Sequence, residues 1–441
     1  MRGVDCGECV VVAAAVPSAA VLVAGLNGNV AALCTVAGLI GSLVAARTLS
    51  SAPRAPRSLW PAVLILAVLA VARAPIGSHD LWSYAFYGRM VSHHGVDPYS
   101  AVPASFPHDV VFPVVGWRDT PSGYGPLFTA YSAGVTRVAG DSLVVMRLGF
   151  QLLAAGAVLW CVRTISRSGQ VATLVLVALQ PFVWVSVVNG GHNDAATAAL
   201  LVASVVALRK DRIGVATLLG CTAVLVKISA LIFFVPVGVA LVLRRRWRAA
   251  GTWGAGALVS LGVSWCIAPR SITNASNATR DIVSRSSVWR PMQVVTGLSA
   301  PAVTTAAMLG VVALVGCIVW YHRSERDPTR STGASLTAFG MSASYTLPWY
   351  LTWGVPILAL SGDVALTSIV AARGSLMLAS YQLGPGPVLQ DLAGFAASTV
   401  APWALLVLFV WVVMHPPVPD RSARPGADPD SDRLMRTGSN R

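Results

Sequence analysis

A histidine, an aspartate and two aromatic residues occur together at positions 79–84, in the sequence His-Asp-Leu-Trp-Ser-Tyr. They follow an apolar run at 59–75 and begin the longest polar segment of the chain. A carboxylate is costly inside hydrocarbon but not at its edge. An aspartate at the end of an apolar helix therefore indicates a functional role at a membrane interface. We therefore interpret Asp80 as an active-site base.

Residues 80–94 are predicted to form an interfacial helix. On such a helix Asp80, Tyr84 and Tyr87 share one face through their i, i+4 and i+7 spacing. The helix stops before the Asp-Pro-Tyr sequence at 97–99, because proline disfavours helical conformation in the residue that precedes it. The alternative is an amphipathic surface helix in which Trp82 and Tyr84 belong to an aromatic belt.

The segment 117–126 contains a second group of polar residues in the same loop. It combines an Arg-Asp pair, which ends at Asp119, with a Tyr-Gly-Pro turn that begins at Tyr124. Such a segment either clamps a sugar hydroxyl or a phosphate, or serves as a structural turn that returns the chain to the membrane.

The segment 189–194, Asn-Gly-Gly-His-Asn-Asp, lies between two apolar runs. Its residues His192, Asn193 and Asp194 are predicted to hydrogen-bond a sugar or to position the loop base. The alternative is a simple helix N-cap. Neighbouring ligands on one short turn rarely complete a metal site, so we predict that no metal binds here.

Positive charge is placed unusually at two positions. Lys227 interrupts an apolar stretch, and a lysine at membrane depth is costly unless it snorkels or is paired. A phosphate is a natural partner for such an ammonium group. The stretch 270–290 carries four arginines, Arg290 among them, against one acid, Asp281. We expect it to face anionic lipid head groups or a phosphate leaving group, with a misassigned topology as the alternative.

The composition identifies the class of protein. The chain is 55% hydrophobic and 11% charged, with a mean hydropathy of +0.66, whereas about a quarter of the residues of soluble proteins are charged. This indicates an all-α polytopic membrane protein. The net charge of +14 lies in short clusters between apolar runs, so we predict no nucleic-acid binding.

The seven cysteines are interpreted as buried small apolar residues, and the first apolar run as a retained helix rather than a signal peptide.

Apolar runs predict about 13 transmembrane helices. Nine are long enough to cross a ~30 Å hydrocarbon core: 9–26, 30–46, 59–76, 143–162, 170–188, 228–243, 250–268, 301–321 and 394–414. Two others, 195–208 and 213–226, span only about 21 Å at ~1.5 Å per residue. Runs 332–347 and 350–372 complete the set. Whether 375–391, which contains Gly-Pro-Gly-Pro at 384–387, also crosses decides between 13 and 14 spans.

Arginine clusters predict the orientation of these helices. If the N-terminus is cytoplasmic, alternate loops carry clusters at 47–57, 163–167, 209–212, 244–248 and 323–330, as the positive-inside rule requires. The other loops are then external. They hold the long loop 76–142, the segment 189–194, Lys227, the stretch 269–300 and the segment 347–350, so the polar motifs converge on one face.

Taken in order, these motifs resemble those of a known enzyme family. The set comprises 79–89, Asp-Pro-Tyr at 97–99, Tyr-Gly-Pro-Leu at 124–127, 189–194 and Leu-Val-Lys at 225–227. It is similar to the actinobacterial polyprenyl-phosphate-mannose-dependent mannosyltransferases of the GT-C fold. These include the lipomannan alpha-(1,6)-mannosyltransferases and the relatives in glycosyltransferase family 87. The resemblance covers most of the chain from residue 59 to about 360.

The resemblance implies a plasma-membrane enzyme that takes mannose from a polyprenyl-phosphate donor and adds it to a lipid-linked mannan or related glycan outside the cell. Its expected partners are thus the bilayer, the lipid donor and the glycan acceptor, with no cofactor. Asp80 matches the general base of the first external loop. Lys227, Arg89 and Arg290 are candidates to bind the donor phosphate, because positive charge stabilises the leaving anion.

The remaining candidates would bind or position the sugar. They are Tyr84, Asp119, Tyr124, His192, Asn193 and Asp194. Trp349 and Tyr350 would offer an aromatic surface to a sugar or, as we prefer, anchor a helix end.

The implied organisation has four parts. Two N-terminal transmembrane helices occupy 1–58 and a GT-C catalytic core occupies 59–372, with interfacial helices in its external loop 76–142. A C-terminal transmembrane region occupies 373–415, and a disordered tail 416–441.

The rival hypothesis is a transporter or flippase of a lipid-linked glycan without catalysis. A transporter is expected to place polar groups at the midplane and to show repeated halves, and neither is evident. A scaffold for other envelope enzymes would leave the external acids unexplained.

Overall fold

The computed structural model describes residues 2–26, 28–383 and 388–416, and in these residues all regular structure is helical. The first ten α-helices are α1 (Arg2–Ala24), α2 (Gly28–Thr48), α3 (Leu59–Ala72), α4 (Asp80–Ser92), α5 (Pro126–Ala139), α6 (Leu143–Ser166), α7 (Val171–Ala178), α8 (Asp194–Arg209), α9 (Ile213–Val226) and α10 (Phe234–Leu243). The next nine are α11 (Trp247–Ile267), α12 (Pro269–Arg280), α13 (Trp289–Thr296), α14 (Ala300–Tyr321), α15 (Thr329–Ser342), α16 (Val355–Ser361), α17 (Val364–Gln382), α18 (Val388–Phe395) and α19 (Ala401–Met414). Short 3-10 or π-helical segments occur at Pro103–Ser105, Phe112–Val114, Phe182–Val188, Ile228–Phe233, Pro348–Trp353 and Ala396–Val400.

Seven helical stretches of the described residues are long and apolar enough to cross a membrane. They are Cys6–Ala24, Gly28–Thr48, Leu143–Ser166, Trp247–Ile267, Ala300–Tyr321, Val364–Gln382 and Asp391–Met414. The pair Val171–Ala178 and Phe182–Val188 makes an eighth if its 47° bend lies within one span. The chain is therefore an all-α polytopic membrane protein, as its composition predicts, while the total of 13 spans stays a prediction.

Other predicted spans are short or divided. Helices α8 and α9 have 16 and 14 residues, in agreement with the short apolar runs. The run 350–372 is not one helix but is divided among the segment Pro348–Trp353, α16 and the start of α17. Gly362 ends α16 in the left-handed conformation at φ 78°, and Asp363 accepts a hydrogen bond from the Leu366 N–H to begin α17. The Gly-Pro-Gly-Pro sequence and all but the first residue of the predicted disordered tail lie outside the described residues.

The bend near Pro181 is stabilised by side-chain hydrogen bonds between helices. Proline lacks the N–H that a continuous helix needs, so α7 ends just before it. The neighbouring Gln180 is fully buried. Its side chain donates to Ser42 Oγ of α2 at 2.7 Å and accepts from Ser375 Oγ of α17 at 3.0 Å. In a membrane, apolar side chains contact lipid as favourably as they contact another helix. Hydrogen bonds of this kind therefore help to hold helices together.

Helix α4 is more buried than the sequence predicts. It extends over residues 80–92, close to the predicted 80–94, and every residue from Ser83 to Met90 is buried. Tyr84 is 1% exposed, so the aromatic-belt alternative is wrong for this residue. The burial arises because α4 lies against α5 through Gly88, whose missing side chain lets the Ser132 carbonyl approach.

A network of buried amides fixes the chain between α3 and α4. Asn189 Nδ2 donates to the carbonyls of Ala70, Arg73 and Ala74, and Asn189 Oδ1 accepts from the Ile76 N–H at 2.7 Å. In addition, Gln151 Nε2 of α6 donates to Arg73 O and, at 2.6 Å, to Asn189 O. The end of α3 is thus held against the segment 189–193, which brings Asp80 towards His192.

The arginine loops meet at the opposite end of the helices. Arg209 pairs with Asp327 at 3.0 Å, and Arg246 pairs with Asp211 at 2.5 Å. Arg244 Nη2 donates to the Glu325 carbonyl. The structure therefore brings together three of the five clusters that the charge pattern assigns to one face.

The predicted burial of the cysteines is only partly correct. All seven are free thiols, and Cys161 is buried. By contrast Cys6, Cys9, Cys266 and Cys317 are exposed on the outer faces of apolar helices.

The contact between α4 and α5 yields a stability prediction. Gly88→Ala places a methyl group in collision with the Ser132 backbone, so α4 must shift away from α5. Overpacking of this kind costs about 1–3 kcal/mol, and the thermal unfolding midpoint of the purified protein in detergent should fall. Gly134→Ala in α5 is the control, because a methyl group there meets no atom within 4 Å. Equal midpoints for the two variants would contradict the tight contact.

Candidate functional site

Asp80 is the first residue of α4, and its carboxylate is oriented by an indole. Trp117 Nε1 donates to Asp80 Oδ1 at 3.0 Å. Asp80 Oδ2 lies 3.8 Å from His192 Nδ1, beyond hydrogen-bond distance, and the side chain remains 16% exposed. Burial raises the pKa of Asp80, although the Trp117 hydrogen bond and the charge of Lys227 act in the opposite direction. Asp80 is therefore a carboxylate with raised proton affinity and an oxygen open to a further donor.

His192 lies beneath Asp80 between two aromatic side chains. Its Nδ1 is 3.2 Å from the Tyr84 hydroxyl, and its ring stacks on Trp349 with centroids 3.7 Å apart. Burial and the nearby charge of Lys227 lower the pKa of His192 well below its ordinary value, so the imidazole is neutral at neutral pH. The His192 ring thus supplies polar but uncharged atoms next to the Asp80 carboxylate.

Lys227 and Asp194 form an ion pair next to this histidine. Asp194 begins α8, and its Oδ1 accepts from Lys227 Nζ at 2.8 Å and from Trp353 Nε1 at 2.6 Å. Lys227 directly follows the C-terminal end of α9, where the helix dipole favours a cation. Its Nζ lies 4.8 Å from the ring centroid of Tyr350 and 5.2 Å from that of Trp353, within the range of cation–π contacts.

Four buried polar atoms of three consecutive residues have no hydrogen-bond partner among the described residues. They are His192 Nε2, both side-chain polar atoms of Asn193, and Asp194 Oδ2. Native proteins pair the large majority of buried polar side-chain atoms, and clusters of exceptions need an explanation. Together these atoms offer donors and acceptors of the kind that sugar hydroxyls require.

The Tyr-Gly-Pro turn has a structural role. Tyr124 packs edge-on against Tyr84, with centroids 4.9 Å apart. The Gly125 N–H donates to Val226 O at 3.1 Å, and any side chain at Gly125 would collide with the Leu225 carbonyl. The turn therefore joins the start of α5 to the end of α9, immediately before Lys227.

Three predicted site residues lie away from this cluster. The Arg89 guanidinium donates to Asp109 and to Gly140 O, and pairs with Asp141 at 2.9 Å. Arg290 is exposed and donates to Gln293 Oε1, and Asp119 is exposed.

These contacts separate Arg89 from the group around Asp80. Asp109 also accepts from His94, and its hydrogen bonds outweigh the effect of burial and lower its pKa, as expected for an ion-paired carboxylate. Arg89 thus holds the loop 76–142 in shape, and the structure gives it no contact with Asp80 or Lys227. The Arg118 side chain, beside Asp119, likewise donates to the carbonyls of Phe112 and Pro113.

The sequence interpretation missed several residues of the cluster. Trp117 and Trp353 both donate indole hydrogen bonds to its carboxylates, and Asn189 positions the chain around it. The sequence did contain a signal for the two tryptophans, because an indole N–H in an apolar environment needs a hydrogen-bond partner. Trp349 and Tyr350, which we preferred as helix anchors, contact His192 and Lys227. Among the described residues no three His, Cys, Asp or Glu side chains group to hold a metal.

Comparison with known proteins gives one family and several relatives. Residues 7–244 match the model of a family described as alpha-(1->6)-mannopyranosyltransferase, N-terminal domain. Alpha-(1->6)-mannopyranosyltransferase A of Mycobacterium tuberculosis is 26% identical over 345 residues, which is 69% of this chain and 64% of that protein. The protein of the same name from Corynebacterium glutamicum is 24% identical over 389 residues, 76% of this chain and 78% of that protein. A probable alpha-(1->6)-mannopyranosyltransferase of Mycolicibacterium smegmatis is 28% identical over 33% of this chain and 26% of its own length. The chain thus spans somewhat less than two thirds of the first relative.

The ion pair between Asp194 and Lys227 yields a second stability prediction. Lys227→Met leaves a buried carboxylate without its cation, and removal of one partner of a buried pair costs about 3–5 kcal/mol. The thermal midpoint should fall, and Asp194→Asn added to that variant should recover part of the loss, because the amide carries no charge. A double variant no more stable than Lys227→Met would contradict the coupling of these two side chains.

Proposed function

Because the chain belongs to the alpha-(1->6)-mannopyranosyltransferase family, we propose that it transfers mannose from a polyprenyl-phosphate donor to a hydroxyl of a lipid-linked mannan or related cell-envelope glycan. The relatives, both named alpha-(1->6)-mannopyranosyltransferase A, support mannosyl transfer. The observation that carries the proposal is the Asp80 carboxylate, oriented by Trp117 and exposed by 16% beside a group of unpaired polar atoms.

Asp80 would act as the general base. The acceptor hydroxyl gives its proton to the Asp80 carboxylate while its oxygen bonds to C1 of mannose. The bond from C1 to the phosphate oxygen breaks, and its electron pair leaves with the polyprenyl phosphate. With a beta-linked donor this in-line displacement gives an alpha-linked product. Burial supports the role, because a base with a raised pKa takes up a proton more readily.

Lys227 would stabilise the leaving phosphate. An ammonium group has three N–H donors, and Lys227 donates one of them to Asp194. The aromatic rings of Tyr350 and Trp353 and the C-terminal end of α9 hold the cation in place without neutralising it. A preorganised cation of this kind stabilises charge that develops in the transition state.

His192, Asn193 and Asp194 would bind the mannose hydroxyls. Their four unpaired atoms include both donors and acceptors, which suits the hydroxyl groups of a sugar. We further propose that Tyr84 and Tyr124 position this group rather than touch the substrate, because both are packed within the aromatic cluster behind it.

The site would face the outer side of the plasma membrane. Three arginine clusters meet at the opposite end of the helices, and the positive-inside rule assigns that end to the cytoplasm. A lipid donor in the outer leaflet then brings its phosphate to the interface while its chain stays in the bilayer.

The base assignment predicts the effect of one substitution. Asp80→Asn should lower transfer of labelled mannose from polyprenyl-phosphate-mannose to a mannoside acceptor by about 10³-fold, within the usual range for loss of a general base. Asp281→Asn, an exposed acid at the end of α12, is the matched control and should keep full activity. Purified, folded Asp80→Asn protein with wild-type rates would rule out Asp80 as the base. A flippase without catalysis would move lipid-linked glycan and show no transfer in either form.

The pKa of Asp80 predicts the pH dependence of transfer. A base works only when it is deprotonated, so kcat/KM should fall as the pH drops through the raised pKa of Asp80. Trp117→Phe removes a hydrogen bond that lowers this pKa, so the acid limb of the profile should move to higher pH. An acid limb unchanged or moved to lower pH in Trp117→Phe would contradict the assignment.

A further inference from the structure

A second pocket lies far from Asp80, at the other end of α8. Helix α8 begins at Asp194, in the candidate site, and ends 16 residues later at Arg209, which borders this pocket. The pocket has a volume of about 400 Å³ and lies where α8 and α10 end and where α9 and α15 begin. Buried apolar side chains form much of its floor: Val205, Val237, Ala240 and Leu241. Exposed charged side chains form its rim: Arg209, Asp211, Arg244, Arg246, Arg326 and Asp327.

The rim carries more positive than negative charge. Its two aspartates are each paired with one arginine. The other two arginines, Arg244 and Arg326, have no carboxylate within salt-bridge distance in the described part of the chain. Arg244 Nη2 donates to the carbonyl of Glu325, the residue before Arg326, and this bond brings the two cations to the same side of the pocket. Guanidinium groups bind phosphate well, so this part of the rim suits a phosphate group.

A buried hydroxyl group in the floor lacks a partner. Thr332 of α15 lines the pocket and is 1% exposed, and its Oγ1 has no hydrogen-bond partner among the described residues. A threonine in a helix can donate to the carbonyl four residues earlier. Here that carbonyl, Pro328 O, already accepts from the Thr332 N–H and from Ser331 Oγ. The Thr332 hydroxyl is therefore available to an acceptor that enters the pocket.

Apolar side chains beside the rim indicate that it lies at a membrane surface. Leu243 and Trp247, which flank the arginines at 244–246, are 52% and 63% exposed. Exposed apolar side chains among arginines are typical of the boundary between hydrocarbon and water, where tryptophan is enriched. A lipid of this leaflet can thus reach the pocket without leaving the membrane.

We propose that this pocket binds an anionic phospholipid of the leaflet that the positive-inside rule assigns to the cytoplasm. Its phosphate lies at Arg244 and Arg326, an ester carbonyl accepts from Thr332, and the first part of a chain covers the apolar floor. A free phosphate ion would leave that floor uncovered, and an uncharged lipid would leave the two cations without a partner. The inference does not depend on sugar transfer or on the site around Asp80.

The test measures the thermal unfolding midpoint of the purified full-length protein, freed of lipid in detergent. Phosphatidylglycerol should raise the midpoint, because a ligand that binds the folded state stabilises it. Phosphatidylcholine, diacylglycerol and glycerol phosphate at the same concentration should raise it much less. Equal stabilisation by glycerol phosphate would mean that the pocket takes a soluble anion, and it would overturn the lipid. Equal stabilisation by phosphatidylcholine or diacylglycerol would overturn the selection of an anionic head group.

A double variant tests the rim. Arg244→Gln combined with Arg326→Gln should raise the apparent Kd for phosphatidylglycerol about 30-fold, because two arginines no longer attract the lipid. Arg167→Gln combined with Arg248→Gln is the matched control. It removes the same charge from two exposed arginines outside the pocket and should keep the Kd near that of the wild type. The same Kd for both double variants overturns the proposal.

Thr332→Val tests the floor. Valine has nearly the same shape without the hydroxyl, so the lipid-free protein loses an unpaired buried polar group and its midpoint should stay or rise. The apparent Kd for phosphatidylglycerol should instead rise about fivefold, as expected for the loss of one hydrogen bond. A lower midpoint without lipid and an unchanged Kd would show that Thr332 serves the fold alone, and would overturn its contact with the lipid.

Discussion

The buried ion pair between Lys227 and Asp194 is the interaction on which the arrangement of the site depends. Each charge alone would be costly at this depth, and the short contact between the two, together with the further groups that share it, offsets part of that cost. Trp353 donates to the same carboxylate oxygen, and Tyr350 and Trp353 present their rings to the ammonium. The pair therefore joins the start of α8, the end of α9 and the segment 348–353, which are distant in the sequence.

A second, uncharged network brings Asp80 to this pair. Asn189 and Gln151 bind the last carbonyls of α3, which a helix leaves without internal partners. The chain then enters α4 with Asp80 at its first residue, and Trp117 orients the carboxylate. Asp80 and Lys227 are thus held by separate contacts, one set through α3 and α6 and the other through α8 and α9. His192 lies between them, on the short segment that both sets share.

The sequence correctly predicted the helical class and the presence of α4. Of the residues it predicted for the central cluster, only some lie together in the structure. Asp80, Tyr84, Tyr124, His192, Asp194 and Lys227 do lie together, because polar groups among apolar helices have few places to be satisfied. Arg89 was expected to join them, but Asp109 and Asp141 take its donors within the loop. Arg290 and Asp119 are exposed. Helix periodicity placed Tyr84 on the face of Asp80, but it did not reveal that α5 covers α4, since that depends on Gly88 meeting a distant part of the chain.

By itself the sequence determined that the protein lies in a membrane, which loops carry positive charge, and which rare polar residues interrupt the apolar helices. These properties depend on composition and local order. They can be recognised in the sequence because unpaired polar groups are costly in hydrocarbon and are therefore rare there. The tertiary structure alone decided which partners those residues take: Trp117 for Asp80, Trp353 for Asp194, and Asp109 for Arg89. It also created an apolar groove between α5, α6 and α8, which no sequence pattern marks. Small residues on α5, α6 and α8 become a cavity only when the three helices face one another.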